Sequence, residues 1–156
     1  MTPLIRVLAC GAIDRGDDGV ALRAVRSLPP GARRGAQIDE VGYLSPELLI
    51  GDAPEMPRLV LDCVAGLPSG EIIDLPLAEL PALEARMRTT STHALAPGAA
   101  VALADLLGAV RPNDRFLGIG GERFEVGDDL SPAVSAQLGV LVDRVATRIA
   151  EARPCA

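Results

Sequence analysis

The stretch Arg58-Leu59-Val60-Leu61-Asp62-Cys63-Val64 constrains this chain more than any other. Its apolar residues run on continuously instead of alternating, and the run is too short for a buried helix. It reads as a strand covered on both faces. Such a strand needs helices above and below its sheet.

The rest of the chain supplies them. Leu4 to Cys10 is a second short apolar run with one charge. After it, Val20, Ala21, Ala24, Val25 and Leu28 recur at helical spacing, and Pro29-Pro30-Gly31 ends that helix. Ile38 to Val41 reads as a strand and Pro46 to Ile50 as a short helix. Ile72 to Leu75 reads as a strand reached by a link too short for a helical crossover, so it is expected to pair antiparallel with the run ending at Val64. Leu77 to Met87 has a helical pattern interrupted by Pro81. Pro97 to Leu107 reads as a helix with Pro in its first turn and Gly108 at its end. Phe116 to Ile119 is the last expected strand. Ser131-Pro132 then opens a long amphipathic helix, with Ser131 as its expected cap and Val134, Leu138, Leu141, Val142, Val145 and Ile149 on one face. The expectation is an α/β three-layer sandwich: a mostly parallel, mixed sheet of about five strands flanked by helices.

Composition bounds the rest. The chain has 156 residues, 49% of them hydrophobic and 23% charged, as expected for one globular domain over residues 1–156. Fifteen Lys and Arg against twenty-one Asp and Glu leave a net charge of −6. That balance argues against nucleic acid as a partner. Cys10, Cys63 and Cys155 form no CxxC pair, so no disulfide framework or zinc ribbon is indicated. No secretory leader is evident after Met1-Thr2-Pro3, and the longest apolar stretch, Ala94 to Ala104, falls far short of the ~20 residues of a membrane span. A cytoplasmic protein without a membrane partner is expected.

In open α/β sheets, ligands gather outside the carboxyl ends of the strands. Asp17-Asp18 follows the first strand, and Asp62 ends the central apolar run. His93 is the only His, in Thr89-Thr90-Ser91-Thr92-His93, just before a helix. If the first and central strands are neighbours, both acids meet at one edge and His93 comes over it. Two carboxylates and an imidazole suit a borderline divalent metal and leave coordination positions open. Each residue also has a plainer reading. Asp17 is an N-cap candidate, Asp18 gains from the helix dipole, Asp62 accepts backbone N–H groups, and His93 is a loop or cap residue. Cys10 and Cys63 read as small buried residues, with a thiol nucleophile and His93 as base left open. Gly11, Gly16 and Gly19 do not make GxGxxG, and Ser131 as nucleophile is weaker than Ser131 as cap.

Taken in order, several segments resemble the hydrogenase maturation proteases, which remove a C-terminal peptide from the large subunit of nickel–iron hydrogenases. They are Leu4-Ile5-Arg6-Val7-Leu8, Arg15-Gly16-Asp17-Asp18-Gly19-Val20-Ala21, Arg58 to Val64, Ser91-Thr92-His93, and Gly127-Asp128-Asp129-Leu130-Ser131-Pro132-Ala133-Val134. The resemblance implies an aspartyl-type peptidase in which Asp18, Asp62 and His93 bind the substrate's nickel and serve cleavage. It implies that Asp17 and Gly19 support the turn, that no organic cofactor is needed, and that the partner is the large-subunit precursor. A monomer is the simplest expectation. The chain departs from the family's Gly-x-Gly-Asn with Ala9-Cys10-Gly11-Ala12, and from its Gly-Ile-Gln-Pro with Gly118-Ile119-Gly120-Gly121. Glu40-Val41-Gly42-Tyr43-Leu44 matches the second-strand pattern only in part. Two rival readings stay open: a nickel-dependent checkpoint that binds the precursor without cutting it, and a nucleotide-binding α/β module.

Overall fold

The computed structural model describes residues 2–51, 56–87 and 96–154. Its strands are β1 (Ile5–Cys10), β2 (Ala36–Val41), β3 (Arg58–Ala65), β4 (Ile72–Pro76) and β5 (Arg115–Gly121). Its helices are α1 (Val20–Arg26), α2 (Leu80–Met87), α3 (Pro97–Leu106) and α4 (Pro132–Glu151). Short 3-10 turns occupy Gly16–Gly19, Pro46–Leu49 and Leu77–Glu79. No helix among the described residues is long and apolar enough to cross a membrane.

The five strands form one sheet in the order β2-β1-β3-β5-β4. All neighbours are parallel except β4 and β5. Alternation along the central strands sorts side chains into two cores. Val7, Ala9, Leu59, Leu61, Leu117 and Ile119 pack against α1 and α4. Leu8, Cys10, Val60 and Phe116 pack on the other side, against α2, α3 and the two neighbouring 3-10 turns. The expected three-layer, mostly parallel mixed sheet is what forms.

One pairing differs from expectation. Ile72 to Pro76 runs opposite to β3 but pairs with β5, which lies between them. The link 66–71 therefore crosses the end of β5. Gly70 N donates to Gly120 O at 2.9 Å, and Gly120 N to Glu71 O at 2.8 Å. A Cβ on Gly120 would lie 2.1 Å from Pro68 O, so the crossing requires glycine there. A short link rules out a helical crossover, but it does not specify which strand is the neighbour.

Two other local expectations are corrected. Pro81 does not interrupt a helix. It is the second residue of α2, following the 3-10 turn, where its missing N–H has no helical partner to lose. Ser131 stands at the N-cap position of α4 but makes no side-chain cap bond. Its hydroxyl lies 3.3 Å from Ser69 Oγ instead.

Candidate active site

β1 and β3 are parallel neighbours, so the residues after Cys10 and the end of β3 share the carboxyl edge of the sheet. The chain leaves β1 through Gly11, whose φ is 127°. A Cβ on Gly11 would sit 1.9 Å from Asp18 O, so only glycine lets the backbone wrap that closely. The wrap directs the Ala12 N–H to Asp18 Oδ2 at 2.9 Å. Asp18 is thereby held at the head of the β1–α1 turn, half-buried.

Asp17 is fully buried and does not cap the turn that contains it. Its Oδ2 accepts the Glu122 and Arg123 N–H groups at 2.9 and 3.0 Å, and its Oδ1 accepts Ser131 N–H at 2.7 Å. Asp17 N in turn donates to Arg123 O at 2.8 Å. The N-cap reading is therefore corrected. Burial alone raises this carboxyl, but the backbone donors of Glu122, Ser131 and Arg123 outweigh it and hold Asp17 below the usual range. Its role is to tie the β1–α1 turn to the β5–α4 connection. Gly19 supports the same turn: a Cβ there would meet Ile13 Cα and O at 3.0 Å.

Asp62 continues the parity of Leu8 and Val60, so it faces the layer of α2 and α3. It is 9% exposed. Its Oδ1 accepts one N–H, from Cys63 at 2.8 Å. Burial, then the charge of Asp18, push Asp62 up to about 8, with Glu84 of α2 adding to the shift. Two acids held this close, one of them largely desolvated, are an arrangement that a divalent cation relieves. The chemistry of the two carboxylates thus suits a divalent cation.

His93 lies outside the described residues, as does the rest of Thr89-Thr90-Ser91-Thr92-His93. The segment 88–95 joins α2 to α3, whose layer Asp62 faces. Among the described residues no three His, Cys, Asp or Glu side chains stand together as metal ligands. The structure therefore brings Asp18 and Asp62 to the same edge of the sheet.

Both described thiols argue against cysteine chemistry. Burial first, and then Asp62, push Cys10 and Cys63 well above the ordinary thiol range. A reactive cysteine needs the opposite, an electropositive setting. Ser131 is fully buried and is not a nucleophile presented to solvent. The residue that the sequence reading missed is Glu84. In the sequence it is one more charge on a short helix, and nothing marks it as a charge that raises Asp62.

No protein-family model matches the chain, and no curated protein matches it. Solved structures do. The hydrogenase maturating endopeptidase HybD from Escherichia coli superposes with a TM-score of 0.69 at 25% identity, over 97% of this chain and 93% of that one. The nickel–iron hydrogenase maturation protease HybD from Thermococcus kodakarensis gives 0.67 at 24% identity, over 94% and 98%. The endopeptidase HycI from Escherichia coli gives 0.65 at 20% identity, over 94% and 90%. The resemblance read from the sequence thus extends to the fold of nearly the whole chain, and the structures it resembles are peptidases.

Proposed function

We propose that this chain is an endopeptidase that removes the C-terminal peptide of a nickel–iron hydrogenase large-subunit precursor after nickel insertion. The observation that carries the reading is that the half-buried Asp18 lies near enough to the buried Asp62, at the carboxyl edge of the sheet, for its charge to raise Asp62. The similarity to solved maturation proteases supports it.

In this reading the nickel belongs to the substrate. Asp18 and Asp62 receive it together with His93, and the chain acts as a cytoplasmic monomer without an organic cofactor. With its pKa raised to about 8 by burial, then by Asp18, with Glu84 adding to the shift, Asp62 holds a proton at neutral pH. A protonated carboxyl is neither a good ligand nor a base. Docking of a divalent cation expels that proton and ionises Asp62. The pair therefore distinguishes a nickel-loaded precursor from an empty one, and the docked metal brings the adjoining peptide bond to the cleft. Asp17 does not take part in the chemistry. It keeps the turn bearing Asp18 attached to the end of β5.

The test is intact mass spectrometry of a large-subunit precursor incubated with the protein, with and without nickel. Loss of a C-terminal peptide is expected only with nickel, and is expected to vanish in Asp62→Ala and His93→Ala while both variants keep the wild-type circular dichroism spectrum. Cleavage by either variant would overturn the reading. Nickel-dependent binding without mass loss would favour a checkpoint protein, a reading supported by Ala12, which carries no side-chain amide after β1.

A further inference from the structure

β2 ends the sheet, and no described strand lies beyond it. Each of its residues is half-buried or exposed, while all but one of those in β1 beside it are buried. The cause is the shortness of α1. Its seven residues pack over β1 and β3 and leave the flank of β2 uncovered. Ala36 and Ile38 turn toward the α1 layer and are only partly buried against it. With Arg33 and Glu40 they line an open groove of about 370 Å³. From Ala36 to Glu40 it extends about 13 Å at the usual strand rise.

The charge at this groove is opposite to that of the chain. At one end Arg26 Nε and Nη2, on α1, donate to Glu40 Oε1 and Oε2 at 2.8 and 2.7 Å. At the other end Arg33 donates Nη2 to Val25 O at 2.9 Å, a neutral acceptor. Arg34 follows it, and Arg153 Nη2 donates to Gly31 O and Arg34 O at 3.0 and 2.9 Å. Arg23 lies one turn before Arg26 on α1, nearer the carboxyl edge of the sheet. Its Nε is buried and has no hydrogen-bond partner among the described residues. Five of the fifteen basic residues thus come to one flank of a chain whose net charge is −6. Asp39, on the other face of β2, is held by Arg6. We propose that this groove docks an acidic, extended segment of the protein substrate, its carboxylates on Arg23 and Arg33 and its apolar side chains over Ala36 and Ile38. An apolar floor between charged ends suits a peptide whose residues alternate, and a phosphate backbone would have no use for it. β2 runs parallel to β1, so a segment seated along it is led to the edge that bears Asp18 and Asp62. Charge complementarity of this kind serves encounter and register. The inference rests on the protease reading above for its substrate.

The test is fluorescence anisotropy of a labelled Glu-Val-Glu-Val-Glu-Val peptide titrated with the full chain. The double variant Arg23→Gln, Arg33→Gln is expected to bind it roughly 3–20-fold more weakly, since one exposed charge pair contributes about two- to fivefold. Glu40→Gln removes the competing acid and frees Arg26. It is expected to tighten binding about two- to fivefold, a gain that no loss of folding can produce. Asp62→Ala is expected to bind the peptide like the wild type, because the groove lies apart from the acids. Excess peptide is expected to slow nickel-dependent cleavage of the precursor by the wild type. The proposal is overturned if the double variant keeps wild-type affinity, or if Glu40→Gln binds no tighter. It is also overturned if a Lys-Val-Lys-Val-Lys-Val peptide or a short single-stranded DNA binds as tightly, or if excess peptide leaves cleavage untouched. A precursor left uncut by the wild type, with peptide binding and its response to the variants intact, would overturn the protease reading while supporting the groove.

Discussion

Asp17 and Asp62 are both buried aspartates at the same edge of the sheet, and their surroundings push them in opposite directions. Three backbone donors surround Asp17, so its charge is satisfied. Replacing it with Ala strands those donors in a buried place and is expected to cost about 2–4 kcal/mol, read by urea denaturation. Its lowered pKa gives a sign as well. The stability that Asp17 contributes is present above the ordinary aspartate pKa, and is lost as pH falls through its depressed folded-state value. Among the described residues Asp62 has one donor, Cys63 N–H, and the like charge of Asp18 raises it. Its folded-state pKa is raised, so between about 4 and about 8 the folded chain holds a proton that the unfolded chain has released. Stability therefore falls as pH rises through that window, and the cost is fully present above it. Asp62→Asn removes this cost while its amide oxygen still accepts Cys63 N–H. At pH 8.5 the variant is expected to gain about 1–2 kcal/mol, or roughly 2–8 °C in Tm, and to lose nickel-dependent cleavage. A scan showing no stabilisation at alkaline pH would refute the strain assigned to this acid.

At the scale of elements, the expectations that held rest on local periodicity. Of the expectations that failed, the pairing of β4 and the caps assigned to Asp17 and Ser131 needed a partner far along the chain, while the break at Pro81 was a local misreading. The run Leu59-Val60-Leu61 reads as a strand from its own residues, and Val134, Leu141, Val145 and Ile149 of α4 are all buried as their spacing requires. Nothing in 66–75 says that β5 comes between β3 and β4. Gly120 is the residue that permits it, because backbone of the link passes where a side chain would be. Gly120→Ala is expected to force that link outward at a cost of about 1–3 kcal/mol. Gly31→Ala is the matched control, since nothing lies within 4 Å of its added Cβ. Equal denaturation midpoints for the two variants would contradict the crossing.

Across the whole molecule, the two ends of the sheet carry different duties. The carboxyl edge holds the under-compensated acids. The opposite edge holds a satisfied ion pair, Arg58 and Asp114, both completely buried. Asp114 accepts Arg58 N at 3.0 Å, Arg58 Nε at 3.2 Å and Arg111 N at 2.9 Å, while the Arg58 guanidinium also donates to Leu49 O and Ala109 O. This joins β3, the turn after β2 and the segment entering β5 at a single point. Asp114→Ala leaves a buried cation without its counter-charge and is expected to cost about 3–5 kcal/mol. Because the pair lies at the far edge, the cleavage rate per folded molecule is expected to be unchanged at temperatures where the variant stays folded. A rate that falls ahead of the folded fraction would show that the two edges are coupled.

The sequence by itself determined the kind and order of the elements, because strand and helix periodicities are written in residues a few positions apart. It also determined that Asp18 follows the first strand and that Asp62 ends the apolar run of the central one, and so where a parallel sheet puts them once β1 and β3 adjoin. The tertiary structure alone decided which strands adjoin. It also decided that Asp17 finds its donors 105 to 114 residues away instead of in its own turn, and that the charge of Glu84 comes near enough to Asp62 to raise it. The same holds for the acidity of Asp62. A carboxyl's pKa depends on the water removed from it and the charges brought near it, and neither exists until distant segments pack together.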